Sequence, residues 1–192
     1  MNRRNLLKLA SSAALVSGGV ALLPGNAAAV QAASPSAAPA DLPLREAKRL
    51  SFINTHTGDT FADAYWEGGA YVPDALSAIN QVMRDHRTGE VHDIDPRLLD
   101  QLHTLRGLVD ASAPYQIISG YRSPATNAAL HANSSGVASR SLHMDGRAID
   151  IRVRGVDLTR LRDAALGMHA GGVGYYAASN FIHIDTGRVR RW

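Results

Sequence analysis

Ser141-Leu142-His143-Met144-Asp145-Gly146-Arg147-Ala148-Ile149-Asp150-Ile151-Arg152-Val153 is the stretch from which the rest of the chain reads outward. From Arg147 to Val153 it alternates, with Ile149, Ile151 and Val153 on one face and Ala148, Asp150 and Arg152 on the other, as a half-buried strand does. Asp150 then points away from the apolar face. His143 precedes this strand across an Asp145-Gly146 turn signal, so the chain can loop back and bring the imidazole near Asp150. A second run, Phe181-Ile182-His183-Ile184-Asp185, places Phe181, His183 and Asp185 on one side by the same rule. Two neighbouring strands then supply two histidines and a carboxylate.

His143, Asp150 and His183 are residue types that hold zinc. Three protein ligands with a fourth position left to water is the arrangement of a catalytic ion rather than a structural one. Two histidines and a carboxylate also suit a non-haem iron centre, so ligand type alone leaves that reading open. The chain has no cysteine, which excludes thiol nucleophiles, disulfides and thiolate metal sites together. Serines 119, 123, 139 and 141 crowd near His143, but no GxSxG elbow accompanies them and a Ser-His-Asp triad is the weaker idea.

The stretches Ser119-Gly120-Tyr121-Arg122-Ser123-Pro124 with Asn127, Ser141 to Ile151, Gly171-Gly172-Val173-Gly174-Tyr175-Tyr176, and Phe181 to Gly187 with Arg188 and Trp192 occur in that order. Together they resemble the zinc D-Ala-D-Ala carboxypeptidase and endopeptidase family, and most closely its YcbK-like branch. The likeness runs from about Leu50 onward. It implies the hedgehog/DD-peptidase fold, zinc bound by His143, Asp150 and His183, and Arg122 as the arginine that grips a substrate carbonyl or carboxylate and steadies the developing oxyanion. An always-charged guanidinium fork suits that task; the plain alternative is an ion pair with a nearby acid.

One position departs from the wider family, many of whose members carry a glutamate three residues before the last zinc histidine as general base. Asn180 stands there in this chain, and an amide takes up no proton at neutral pH. Asp185 is the first substitute, on the face of His183 and roughly 6–7 Å along the strand. Asp145 is the second. Each has another reading: Asp145 as a turn former, Asp185 as an orienter of a ligand histidine or a partner of Arg188. The implied chemistry is metal-assisted hydrolysis, in which zinc lowers the pKa of its bound water toward ~7 and polarises the scissile carbonyl.

Residues 1–29 read as an export signal. Arg3-Arg4-Asn5-Leu6-Leu7-Lys8 is similar to the twin-arginine type, an interrupted apolar stretch follows, and Ala27-Ala28-Ala29 offers a small-residue cleavage site. The destination is the periplasm or cell envelope, with no stable membrane anchor. The formal charge of +3 belongs to Arg3, Arg4 and Lys8 of that leader, so the mature chain is neutral and lacks the concentrated basic patch of a nucleic-acid binder. Arg188, Arg190 and Arg191 form a small cluster that reads as a solvated tail. The Ala-, Ser- and Pro-rich segment that follows the leader reads as a flexible linker over 30–48. A domain over 49–192 is long enough for one core and not comfortably for two; we expect a monomer.

Within that domain, Arg49–Thr57 and Asp59–Trp66 suggest a hairpin about Thr57-Gly58-Asp59. Pro73–Arg84 and Pro96–Val109 show helical spacing, the latter with Asp95 as N-cap. Further strands are expected at Tyr115–Ser119, Val173–Tyr175 and Phe181–Asp185, and helices at Pro124–Ala132 and Leu158–Gly167. The class is α+β, with helices packed on a small, mainly antiparallel sheet. Gly171-Gly172-Val173-Gly174 reads as a close backbone approach to the site, with Tyr175 and Tyr176 as substrate walls. Two functions from different classes follow: a zinc peptidase acting on the peptide stems of peptidoglycan, or a non-catalytic zinc-containing wall-binding module, which Asn180 makes credible.

Overall fold

The computed structural model describes residues 46–133 and 138–192. Strands β1 (Ala47–Asn54), β2 (Thr60–Glu67) and β3 (Ala70–Tyr71) lead into helices α1 (Pro73–Val82) and α2 (Pro96–Leu108). β4 (Tyr115–Ser119), α3 (Pro124–Asn133), a 3-10 turn at Leu142–Asp145 and β5 (Ala148–Val153) follow. The chain then runs through α4 (Leu158–Gly167), β6 (Gly172–Tyr176), a second 3-10 turn at Ala177–Ser179, β7 (Phe181–Asp185) and β8 (Arg190–Arg191). The eight strands form one sheet in the order β3-β2-β1-β4-β5-β7-β6-β8. Pairing is antiparallel except between β1 and β4 and between β6 and β8.

This is the expected α+β class, with a larger sheet than the sequence suggested. β3 and β8 were not expected, because two residues carry no readable period. β1 begins at Ala47, inside the segment read as linker over 30–48. The reading of 1–29 as an export signal falls outside the described residues, as do 30–45. No helix among the described residues is long and apolar enough to cross a membrane.

Helices α1, α2 and α4 take up the apolar face of the sheet. Leu98, Leu99, Leu102 and Leu105 of α2 recur at helical spacing and are fully buried. Burying each contributes about 1.5–3 kcal/mol. The helix starts where Asp95 accepts the backbone N–H of Arg97 and Pro96 occupies the first turn. Ile149, Ile151 and Val153 of β5 and Ile182 and Ile184 of β7 join the same core, with Leu161 and Ala165 of α4. Strand periodicity then forces the intervening Asp150 and His183 onto the opposite face.

Candidate active site

β5 and β7 pair antiparallel in a register that sets Asp150 directly opposite His183. His143 reaches the same point from the 3-10 turn. Ser141 caps that turn by accepting the His143 N–H, and Gly146 ends it at φ +64°, a left-handed conformation that glycine adopts without penalty. A Cβ on Gly146 would lie 2.1 Å from the Asp93 carbonyl, so the turn is seated tightly against the segment before α2. The Asp95 N–H donates to Gly146 O (2.9 Å). The Arg147 Nη2 donates to Thr186 O (2.8 Å), and the Thr186 hydroxyl donates to Asp95 (2.8 Å).

His143 Nε2, His183 Nδ1 and Asp150 Oδ1 converge. The separations are 3.2 Å between the two nitrogens, 3.3 Å from His143 Nε2 to Oδ1 and 2.9 Å from His183 Nδ1 to Oδ1. Ligand bonds of 2.0–2.1 Å in a tetrahedron put neighbouring donors about 3.3 Å apart, so the set fits a metal ion of zinc's size with little movement. The remote ring nitrogens are occupied. His143 Nδ1 is 2.7 Å from Gly120 O and His183 Nε2 is 3.0 Å from Asp185 Oδ2. With a metal on the other nitrogen, each of these acceptors would hold the ring proton on its own side.

The charges of the cluster support one another. Burial pushes the Asp150 carboxyl up, but the two imidazoles outweigh that and hold it well below the usual carboxylate range. Burial opposes protonation of His183, while hydrogen bonds to Asp150 and Asp185 raise its pKa.

Asp185 sits behind the cluster, completely buried. Its Oδ1 accepts the N–H groups of Gly172 (3.0 Å) and Gly187 (2.8 Å) and Arg190 Nη1 (3.0 Å). Its Oδ2 takes Arg190 Nη2 (2.7 Å) and faces His183 Nε2, the nitrogen remote from the ligand atoms. Burial raises its pKa, but the bonds from His183, Arg190, Gly187 and Gly172 win and keep it low. The expected partner Arg188 is replaced by Arg190, and the arginines read as a solvated tail are in part a strand: β8 pairs with β6 and carries Arg190 inward. Gly172 is required here, since its Cβ would fall 2.5 Å from Asp185 Oδ2.

Asn180 has φ +53° at the close of the second 3-10 turn, a conformation asparagine tolerates better than glutamate. Asn180 and Asp145 are both exposed. A cleft of about 400 Å³ opens over the cluster, walled by Arg122, Arg140, Tyr176, Phe181 and Trp192. Among the described residues, Asp150 carries the one side-chain carboxylate that lines it. Tyr176 forms a wall as expected. Tyr175 does not; its ring lies under Arg162 on the other side of β6.

Arg122 is nearly buried beside Asp150, its Nη2 3.7 Å from Oδ2. Burial lowers its pKa, Asp150 partly offsetting that. Its bonds to Asn127 Oδ1 and Ser119 Oγ are both long, at 3.4 Å, and Nε has no partner. Five donors with so few acceptors leave capacity for a ligand. Its backbone is fixed by Arg122 N–H to His143 O (3.1 Å) and by Ser123 N–H to Asp85 Oδ2 (2.9 Å). The roles of Asp85 and of the Gly120 carbonyl were not read from the sequence, because each acts through a contact distant along the chain, and that of Arg190 was not, because it depends on the pairing of β8 with β6.

The family model for M15 peptidases described as peptidoglycan L,D-endopeptidase MepK matches residues 43–192. The chain belongs to this peptidase family. The peptidoglycan L,D-endopeptidase MepK of Escherichia coli strain K12 is 44% identical over 191 residues, covering 100% of this chain and 97% of that protein. The probable peptidoglycan L,D-endopeptidase MepK of Haemophilus influenzae is 41% identical over 144 residues, 74% of this chain and 77% of its own. No solved structure matches.

Proposed function

We propose that this protein is a zinc-dependent L,D-endopeptidase that cuts peptide bonds in the stems and cross-links of peptidoglycan, in the periplasm or cell envelope. The observation that carries the reading is the convergence of three ligand atoms at the floor of an arginine-walled cleft. The names of the relatives supply the substrate class and the bond type. Residues 1–29 act as an export signal of twin-arginine type, and the segment up to β1 as a linker.

His143, Asp150 and His183 hold the ion, which when bound supplies an acidified water and an electrophile for the scissile carbonyl. The Gly120 carbonyl and the Asp185 carboxylate fix the two imidazoles in the ligating tautomer. Asp185 therefore acts through His183 as a positioning residue rather than as the general base first expected, since both its oxygens are committed behind the ring. Arg122 offers its unused donors to the carbonyl oxygen as negative charge develops there. Tyr176, Phe181 and Trp192 give the peptide apolar walls and keep bulk water off the reacting bond.

The test is digestion of purified peptidoglycan by the zinc-loaded protein, followed by mass spectrometry of the muropeptides. Loss of cross-linked species with new amino termini supports the peptidase. Sedimentation with the wall, without cleavage, would establish the non-catalytic binding module instead.

A further inference from the structure

We infer that Arg140 is a specificity residue: it binds a free carboxylate of the substrate peptide lying beside the scissile bond, and so makes the enzyme selective for stems whose carboxylates are not amidated. This rests on the peptidase reading above. The charge inventory of the cleft supports it. Arg122, Arg140 and Arg190 line the cleft, while its one side-chain carboxylate, Asp150, belongs to the metal-ligating set. Arg190 is neutralised by Asp185. Arg122 faces Asp150 from within the wall. Arg140 is exposed and has no ion pair among the described residues, so an unanswered positive charge stands on the rim of the cleft.

Arg140 is also held in place. The buried amide of Asn127 donates to the carbonyls of Ala138 (3.1 Å) and Ser139 (3.2 Å), pinning the backbone just before it. The oxygen of that same amide takes Arg122 Nη1. Just after it, Ser141 caps the turn that carries His143. Arg140 thus springs from a short segment fixed at both ends, tied on one side to the oxyanion arginine and on the other to a metal ligand. The backbone that carries it is thus fixed while the terminal nitrogens of its guanidinium stay free, and a free planar fork can read a carboxylate by a bidentate pair. A peptide amide at the same spot offers a neutral acceptor and two donors that a guanidinium cannot use.

The experiment compares cross-linked muropeptides in free-acid form with the same species amidated at their side carboxylates, for wild type, Arg140→Gln and Arg140→Lys. Wild type should show a KM for the acid about 10- to 100-fold below that for the amide, the range of a charge-assisted bond. Arg140→Gln should raise KM for the acid to the amide's value with kcat and zinc content unchanged, and Arg140→Lys should restore part of the difference. Equal KM for the two substrates in wild type, or an Arg140→Gln loss that is the same on both, would overturn the assignment. Calorimetric binding of an uncross-linked stem peptide, acid against amide, to the zinc-loaded protein separates the two readings. Acid-selective binding that Arg140→Gln abolishes, with no cleavage of any substrate, would sink the peptidase and keep the carboxylate site. Cleavage without discrimination would do the reverse.

Discussion

Arg190 grips Asp185 with both terminal nitrogens, Nη1 to Oδ1 at 3.0 Å and Nη2 to Oδ2 at 2.7 Å. The same guanidinium lies 4.8 Å over the Trp192 ring, which in turn stands 5.2 Å from the His183 imidazole. A histidine of the candidate metal cluster is thus steadied from behind by a carboxylate and from the side by an indole, and one arginine braces both.

If Asp185 works through His183, disturbing the brace weakens metal binding. Asp185→Asn and Arg190→Gln should each lower zinc affinity about 10- to 100-fold, as loss of a partner behind a ligand does elsewhere. Competition with a chromogenic chelator measures this. Undiminished affinity with hydrolysis down by about 10²–10⁴ in Asp185→Asn would return Asp185 to the role of general base.

The ligands themselves should behave as a set. His143→Ala and His183→Ala remove a donor from a three-ligand cluster and should leave only a small fraction of the metal, measured by elemental analysis of the purified proteins. Chelation of the wild type should abolish cleavage and added zinc restore it. Full occupancy in either variant would undo the proposed centre.

Arg122→Lys keeps the charge but loses the planar fork. It should fold and bind zinc as the wild type does, while kcat on muropeptides falls by about 10²–10³, the scale of one oxyanion donor. Wild-type turnover in this variant would reduce Arg122 to a structural role beside Asp150.

Asp85 should show itself in the pH dependence of stability. Burial raises its pKa, but bonds from Thr126, Arg87 N–H and Ser123 outweigh this and hold the folded-state pKa below the usual range. A depressed pKa gives stability that is fully present above the unfolded value of about 3.9 and lost as pH falls below it. Asp85→Ala should therefore cost about 1–3 kcal/mol near neutrality by orphaning buried donors. The gap in Tm from wild type should shrink below about pH 4. A gap that stays constant down to pH 3 would contradict this origin.

Much of the fold could be read because its strands alternate cleanly. Tyr115–Ser119 and Phe181–Asp185 were expected with the bounds observed, and the facing of Asp150 and His183 follows from the isoleucines between which they sit. The convergence with His143 was legible from the Asp145-Gly146 turn. What escaped depends on tertiary placement. Arg190 could not be named as Asp185's partner, because two residues of β8 find their position only by pairing with β6. Asp185 on the face of His183 was read correctly, but period two does not say which ring nitrogen it meets, and that nitrogen separates a base from an orienter. Gly120 contributes a carbonyl, which no side-chain pattern announces.

The pairing of Asp150 with His183 across β5 and β7 also bears on how the chain assembles. A slip of one residue between these strands turns one of the two side chains to the opposite face. The three donors then no longer share a point, and an ion has nothing to bind. Ligation at the proposed centre would therefore be a checkpoint on strand alignment: it would add free energy to the correctly threaded sheet alone, about 4.1 kcal/mol when the ion stands a thousandfold above its Kd. Apolar side chains on both strands reward any alignment that keeps their alternation, including slips by two residues. The metal rewards one.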